Sequence, residues 1–225
     1  MSHFIEIVLM KKAYEALTKN PANYIPLTPI SFLQRTADIY GEREAIIYGD
    51  RSYSWGQCNE RCLRMASSLT ELGISKGDTV AVLAFNTPEM FEAHFFVPMT
   101  GAVLNTINTR LDAETLAYIL DFGEVKAMVV DRELLPLAQS ALQKTKSNPI
   151  LILVDDETAV DKPDVELEVI HYEELLNSGD PKFSYPPLDD EWRALSLNYT
   201  SGTTGKPKGV VYHYRGAYLM SMGTA

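Results

Sequence analysis

Within ten residues, Thr200 to Gly209, the chain places three glycines, three threonines, one serine and two lysines. Few physical tasks call for that mixture. Glycines let a backbone turn sharply and bring bare N–H groups close to a ligand. Successive N–H groups form a concavity that holds anions. Hydroxyls add donors, and lysines supply positive charge. The chemistry implied is recognition of a polyphosphate. Gly202, Gly205 and Gly209 are assigned the backbone cradle, and Thr200, Ser201, Thr203 and Thr204 the hydroxyl donors. Lys206 and Lys208 are assigned the cations. A merely flexible turn with exposed lysines would need no fixed order ending in Lys-Pro-Lys-Gly.

Spacing excludes the common phosphate and nucleophile loops. A Walker A loop needs four residues between its glycines and Ser or Thr after the lysine. Here Thr203 and Thr204 alone separate Gly202 from Gly205, and Pro207 follows Lys206. No G-x-G-x-x-G dinucleotide fingerprint is present. A G-x-S-x-G nucleophile elbow also fails, because Tyr199 holds the first glycine position.

The elements around the loop must position it. Arg193 to Tyr199 reads as a strand that delivers the loop at its end. Upstream, Pro21 to Pro29 carries three prolines and reads as an extended lead-in. Ser31 to Tyr40 reads as a helix, and Ala45 to Trp55 as a hairpin turning at Gly49-Asp50. Ser54 and Gln57 form a capping box. Behind it Cys58, Cys62, Met65, Leu69 and Leu72 make one apolar helical stripe, closed by Gly73. Thr79 to Phe85 is apolar enough for a strand buried on both faces. Thr87 should cap the next helix, with Pro88 in its first turn and a break before Pro98. A helix opens at Asp112, a strand spans Lys126 to Val130, a helix follows Asp131, and Ile150 to Val154 is a strand. Asp155 to Pro187 is acidic and proline-containing, and reads as a surface excursion of mixed structure. The alternation predicts an α/β domain with a mainly parallel sheet flanked by helices.

Composition narrows the function classes. Hydrophobic residues make up 46% and charged residues 22%, as in ordinary globular proteins. The net charge of −10 and the lack of a Lys/Arg-rich run argue against nucleic acid as a partner. No segment reaches the apolar length that spans a bilayer, and the first residues do not read as a signal peptide. The two cysteines read as buried thiols in a reducing cytoplasm, since structural zinc wants four ligands. No metal site is expected. His94, in an apolar helix near Glu92, reads as a hydrogen-bonded core or surface histidine rather than a catalytic one. Trp55, Phe91, Phe95 and Phe96 read as core aromatics, and Asn105, Asn108 and Arg110 as residues that order the adjacent sheet and loop.

Tyr199 to Val210, YTSGTTGKPKGV, closely resembles the signature of the adenylate-forming (AMP-binding) superfamily. That superfamily includes acyl-CoA synthetases, peptide-synthetase adenylation domains and firefly-type luciferases. YIPLTPISFLQRTADIYGEREAIIYGDRSYSW resembles the family's opening, and HFFVPMTGAVLNTINTRLDAETLAYIL its second block. The wording VPMTGAVLNTINTRL most resembles the acyl-CoA synthetase branch. The resemblance implies the N-terminal part of the large adenylation domain, with residues 1–30 as lead-in and 31–225 as a portion incomplete at its C-terminus. It also implies ATP, Mg2+ and CoA. The loop would grip the β- and γ-phosphates, with Lys208 favoured over Lys206. A carboxylate would attack the α-phosphorus, pyrophosphate would leave, and CoA thiol would displace AMP.

The family's adenine-binding segment, its Tyr-Gly-x-Thr-Glu motif, its ribose-binding aspartate and its C-terminal domain with a catalytic lysine have no counterpart here. The expectation is a truncated chain that is inactive alone. Relatives often carry His where this chain has Tyr214, and His213 should not replace it, because neighbouring residues face different ways. Acid–CoA ligation is the leading reading. A carrier-protein-loading adenylation domain and a non-catalytic phosphate-binding fragment are the alternatives. The acid itself is not legible, and a cytoplasmic location is expected, with a C-terminal address left open.

Overall fold

The computed structural model describes residues 18–200 and 206–224. Helix α1 (Ile30–Tyr40) follows the proline-rich lead-in. Strands β1 (Glu44–Tyr48) and β2 (Arg51–Ser54) then form a hairpin whose Gly49, at φ 57°, takes a left-handed turn that side chains resist. Ser54 begins helix α2 (Trp55–Glu71) through the expected reciprocal capping box with Gln57. Cys58, Cys62, Met65 and Leu69 on one face of α2 are fully buried, and both thiols are free. Gly73 ends the helix at φ 87°, and the Ile74 N–H bonds back to the Leu69 carbonyl at 2.9 Å.

Strand β3 (Thr79–Leu83) is buried at all five positions. Helix α3 (Pro88–Met99) carries Pro98 in its last turn instead of breaking before it. The ladder is already ending there, and Thr100 bonds back to Val97 through both its N–H and its hydroxyl. Thr87 stands at the N-cap with extended backbone but makes no side-chain cap bond, unlike the expectation. Strand β4 (Val103–Thr106), helix α4 (Ala113–Phe122) and strand β5 (Val125–Asp131) follow. Asp112 caps α4 by accepting from the Thr115 N–H at 2.9 Å. Asp131 opens a single 3-10 turn, Arg132–Leu134, before helix α5 (Leu135–Leu142). Strand β6 (Ile150–Val154) precedes the acidic excursion. That excursion is not all surface: strand β7 (Ile170–His171) and helix α6 (Tyr172–Ser178) bring Tyr172, Leu175 and Leu176 into the core. Strand β8 (Ala194–Thr200), strand β9 (Lys208–His213) and helix α7 (Tyr214–Thr224) complete the described elements.

The seven-stranded sheet has the order β7-β6-β5-β3-β4-β8-β9. Every adjacent pair is parallel except β8 and β9. From β3 the chain adds β4 on one side, then returns to build β5, β6 and β7 on the other. Such a reversal leaves crevices at the carboxyl ends of the strands, where open α/β sheets bind ligands. Helices cover both faces. Val80 and Val82 pack with α2, α3 and α6, while Ala81 and Leu83 pack with α4 and α5. This is the predicted α/β architecture with a mainly parallel sheet.

An ion network ties α2, α3 and α6 together. Fully buried Glu92 accepts from Arg61 Nε at 2.5 Å and from the Tyr172 hydroxyl at 2.7 Å. Arg61 also reaches Glu173 at 2.6 Å. Burial pushes the Glu92 carboxyl up, and the bonds from Arg61 and Tyr172 offset only part of that. His94, on the same helix, is exposed and holds the Met90 carbonyl through Nδ1 at 2.9 Å.

Candidate nucleotide-phosphate site

Two of the predicted site residues meet directly across the β8–β9 hairpin. Thr200 is the Cα partner of Lys208, and Tyr199 of Gly209. Residues directly opposite on an antiparallel pair project from the same face. Thr200, Lys206 and Lys208 are all exposed to solvent. The other predicted site residues, Ser201, Gly202, Thr203, Thr204 and Gly205, lie outside the described residues. Among those described, Thr200, Lys206, Lys208 and Gly209 gather at one end of one hairpin. Gly209 also has a packing reason to be glycine: an added Cβ would stand 3.0 Å from Leu197 Cδ1 and 3.6 Å from the Tyr199 ring.

Beneath this hairpin end lies a cleft of about 310 Å³ between the ends of β4 and β8. Asn105 and Asn108, Thr115 of α4, and Tyr199, Thr200 and Pro207 line it. Thr106 braces the two strands by donating from its hydroxyl to Asn198 Oδ1 at 2.8 Å. The Asn105 amide is fully buried, and neither its nitrogen nor its oxygen has a partner among the described residues. The Tyr199 hydroxyl is likewise unpartnered there, and burial raises its pKa. Sequence reasoning gave Asn105 an ordering role and left Tyr199 without one. No local signal marks a strand tyrosine that faces a cleft. Tyr118, Phe122 and Tyr199 form an aromatic wall, with Lys206 Nζ 5.3 Å from the Tyr118 ring centre. That cation–π contact holds Lys206 over the cleft margin.

The electrostatics suit an anion. From Trp192 to Ala225 the chain has no Asp or Glu, although it carries 30 acidic residues in all. Hydroxyls and ammonium groups fit phosphate oxygens. They do not fit magnesium, which wants carboxylate and water oxygens. Among the described residues no group of three or more His, Cys, Asp or Glu side chains could hold a metal ion.

Tyr214 begins α7 as a core residue, 1% exposed, donating its hydroxyl to the Pro98 carbonyl at 3.2 Å. Burial pushes its pKa up to about 12. His213 makes different contacts from Tyr214. Its Nδ1 accepts the Gly216 N–H at 2.8 Å, and its ring packs against Trp192 at 4.6 Å.

A second polar group occupies the carboxyl edge around β3, β5 and β6. Arg51 binds Glu89 at 2.9 Å, and the Tyr48 hydroxyl donates to Asp156 at 2.5 Å. Burial opposes ionisation of Asp156, yet bonds from Tyr48 and Thr158 hold its carboxyl below the usual range. Asp131 has no such support at Oδ2. Burial raises its pKa to about 6, against one backbone bond from Glu133, and the Asp156, Glu133 and Glu89 carboxylates add to the rise.

The family model described as AMP-binding enzyme matches residues 33–224. Acetate–CoA ligase CCL3 of Humulus lupulus is 46% identical over 93% of this chain, which corresponds to 39% of that protein. Trans-cinnamate:CoA ligase of Petunia hybrida, a protein named as peroxisomal, is 46% identical with the same two shares, 93% and 39%. Among solved structures, the anthranilate CoA ligase AuaEII in complex with anthranoyl-AMP superimposes with a TM-score of 0.77 at 22% identity. It covers 88% of this chain and 37% of that one. A long-chain-fatty-acid-CoA ligase from Archaeoglobus fulgidus gives 0.75 at 23% identity, over 93% and 41%. The chain therefore spans about 39% of the length of these curated relatives. The loop, the sheet that delivers it and these likenesses agree: the chain belongs to the AMP-binding enzyme family.

Proposed function

We propose that this chain is the phosphate-gripping N-terminal portion of an acid–CoA ligase. The activity is ATP-dependent conversion of a carboxylic acid, through an acyl-adenylate, to a CoA thioester. The observation that carries this reading is the β8–β9 hairpin end, which sets Lys208 beside Thr200 in a segment, Trp192 to Ala225, that has no Asp or Glu. In the first step a carboxylate oxygen bonds to the α-phosphorus of ATP while the bond to pyrophosphate breaks. The charge that develops on the leaving pyrophosphate is what Lys208, Lys206 and the loop hydroxyls would stabilise. In the second step the CoA sulfur bonds to the acyl carbon and AMP departs. Magnesium enters this proposal as the counter-ion of ATP, because the hairpin offers it no carboxylate.

Relatives named for acetate, butyrate and trans-cinnamate support a small aliphatic or aromatic acid as the substrate class. Their CoA-ligase names favour free CoA over a carrier protein as acceptor. No helix among the described residues is long and apolar enough to cross a membrane. A cytoplasmic site of action is part of the proposal, and fractionation against a peroxisomal marker tests it. The chain alone is proposed to be inactive, since it spans a minority of its relatives' length. The test supplies the 225-residue chain with ATP, CoA and a panel of acids and looks for thioester by mass. None is expected, while ATP binding is retained. Thioester formation by the chain alone would overturn the inactivity. Absence of ATP binding would overturn the phosphate-gripping role.

A further inference from the structure

Strand β8 delivers the phosphate loop, yet little fixes its register on the parallel sheet. Leu104 of β4 stands opposite Ser196, and no further pair joins these two strands among the described residues. By contrast β3 is matched to β4 from Thr79 opposite Val103 to Val82 opposite Thr106. β8 is matched to β9 from Ala194 opposite His213 to Thr200 opposite Lys208. The hairpin is therefore one paired ribbon held to the sheet at a single rung. Its base has further ties. Arg193 Nη2 donates to the Gly101 carbonyl at 3.2 Å, and the Tyr214 hydroxyl donates to the Pro98 carbonyl at 3.2 Å. Towards the tip, one side-chain hydrogen bond joins residues 197–212 to the rest of the chain among the described residues. It runs from Thr106 Oγ1 to Asn198 Oδ1 at 2.8 Å.

The place of that bond decides what it can do. Ser196, Asn198 and Thr200 alternate onto one face of β8, so Asn198 lies midway between the rung and the Thr200–Lys208 pair. Asn198 Nδ2 donates to Ser196 Oγ at 3.5 Å, which turns the amide oxygen towards Thr106. Thr200 stands about 13 Å along the strand from Ser196, so a tilt of about 10° at the rung would move it by about 2 Å. A shift of that size takes a phosphate oxygen out of hydrogen-bond reach of its donor. The Tyr199 ring packs edge-on against Phe122 at 6.5 Å, a contact that tolerates sliding. We propose that Thr106 and Asn198 are positioning residues for the phosphate site. Their hydrogen bond fixes the angle at which the hairpin end stands beside β4. Both act through Thr200 and Lys208 and not on the phosphates themselves. The inference rests on the phosphate-gripping reading and adds to it two residues that lie outside the loop.

The test is a double-mutant cycle on the 225-residue chain, read by calorimetric titration with ATP. Thr106→Val and Asn198→Ala should each raise the ATP Kd at least about threefold, and the double variant should bind no worse than the weaker single one. Thr106→Ser, which keeps the hydroxyl, should restore wild-type affinity. Each single variant should lose no more than about 2–4 °C in Tm, the scale of one hydrogen bond in a chain of this size. Ile152→Val, at a fully buried position on β6, is the control: it should lose comparable stability and leave ATP affinity unchanged. Hydrogen exchange reads the clasp without ATP. In Thr106→Val the amides of Asn198 to Thr200 and Lys208 to Val210 should exchange faster, while those of β3 and β5 keep their rates. Wild-type affinity in Thr106→Val, additive losses in the double variant, or an equal loss in Ile152→Val would each overturn the proposal. A wild-type chain that binds no ATP, with exchange at the hairpin end still quickened by Thr106→Val, would overturn the phosphate-gripping reading while upholding the clasp.

Discussion

Lys208 stands directly across the β8–β9 hairpin from Thr200, so an ammonium and a hydroxyl share one face at the carboxyl edge of the sheet. Two groups of those types in that register fit a phosphate oxygen from two sides. Lys208→Ala should weaken ATP binding at least about tenfold, the scale of one charge-assisted hydrogen bond of ~1.5–3 kcal/mol. Lys208→Arg should recover part of the loss. Isothermal titration of both variants reads the effect, and equal affinities for wild type and Lys208→Ala would remove the lysine from the site.

The buried Glu92 carboxylate is the common acceptor of Arg61 and Tyr172. Glu92→Ala leaves the Arg61 guanidinium short of its buried partner and should destabilise the fold by about 3–5 kcal/mol. Glu173→Ala, which removes the exposed partner of the same guanidinium, should cost no more than about 1 kcal/mol. Urea midpoints measured side by side check the contrast.

Asp131 predicts a pH dependence. Its pKa in the fold is raised from 3.8 to about 6, so the native state holds a proton that the unfolded chain has lost. The stability from this group is fully present below pH 3.8 and is lost as pH rises through about 6. A rise of that size corresponds to roughly 3 kcal/mol. Asp131→Asn should therefore raise the Tm at pH 7.5 and flatten the profile between pH 4 and about 6. An unchanged pH profile in the variant would show that Asp131 titrates normally.

Gly179 carries the close approach of α6 to α2. A Cβ there would lie 2.0 Å from the Arg64 carbonyl oxygen and 2.7 Å from Ser68 Oγ. Gly179→Ala must part the helices, and should cost about 1–3 kcal/mol. Thermal unfolding measures it. Gly73→Ala, where nothing lies within 4 Å, should lose only the smaller cost of its left-handed backbone.

The elements that sequence reasoning found were those whose period or caps repeat their message. The α2 stripe, the Ser54–Gln57 box and the all-apolar β3 each carry several agreeing residues. β4 was missed because four residues, VLNT, are too few to show a period. β9 and α7 were missed for another reason. Apart from buried Tyr214 and half-buried Ala217 and Tyr218, their apolar residues are exposed among the described residues, and their sequence shows no clear apolar period. Asp155 to Pro187 looked like surface because it is acidic and proline-containing, yet Tyr172, Leu175 and Leu176 anchor it in the core, with Tyr172 beside Phe96. At the site, the loop composition is what suggests the proposed ligand class. The unpartnered Asn105 amide and Tyr199 hydroxyl became visible only when β4 and β8 were placed side by side.

The central claim is that the Thr200–Gly209 hairpin end recognises a polyphosphate. Its most direct test is calorimetric titration of the 225-residue chain with ATP, inorganic tripolyphosphate and AMP. The account predicts that ATP and tripolyphosphate bind and compete with each other, and that AMP binds far more weakly. AMP binding as tightly as ATP, with tripolyphosphate unable to displace either, would contradict it.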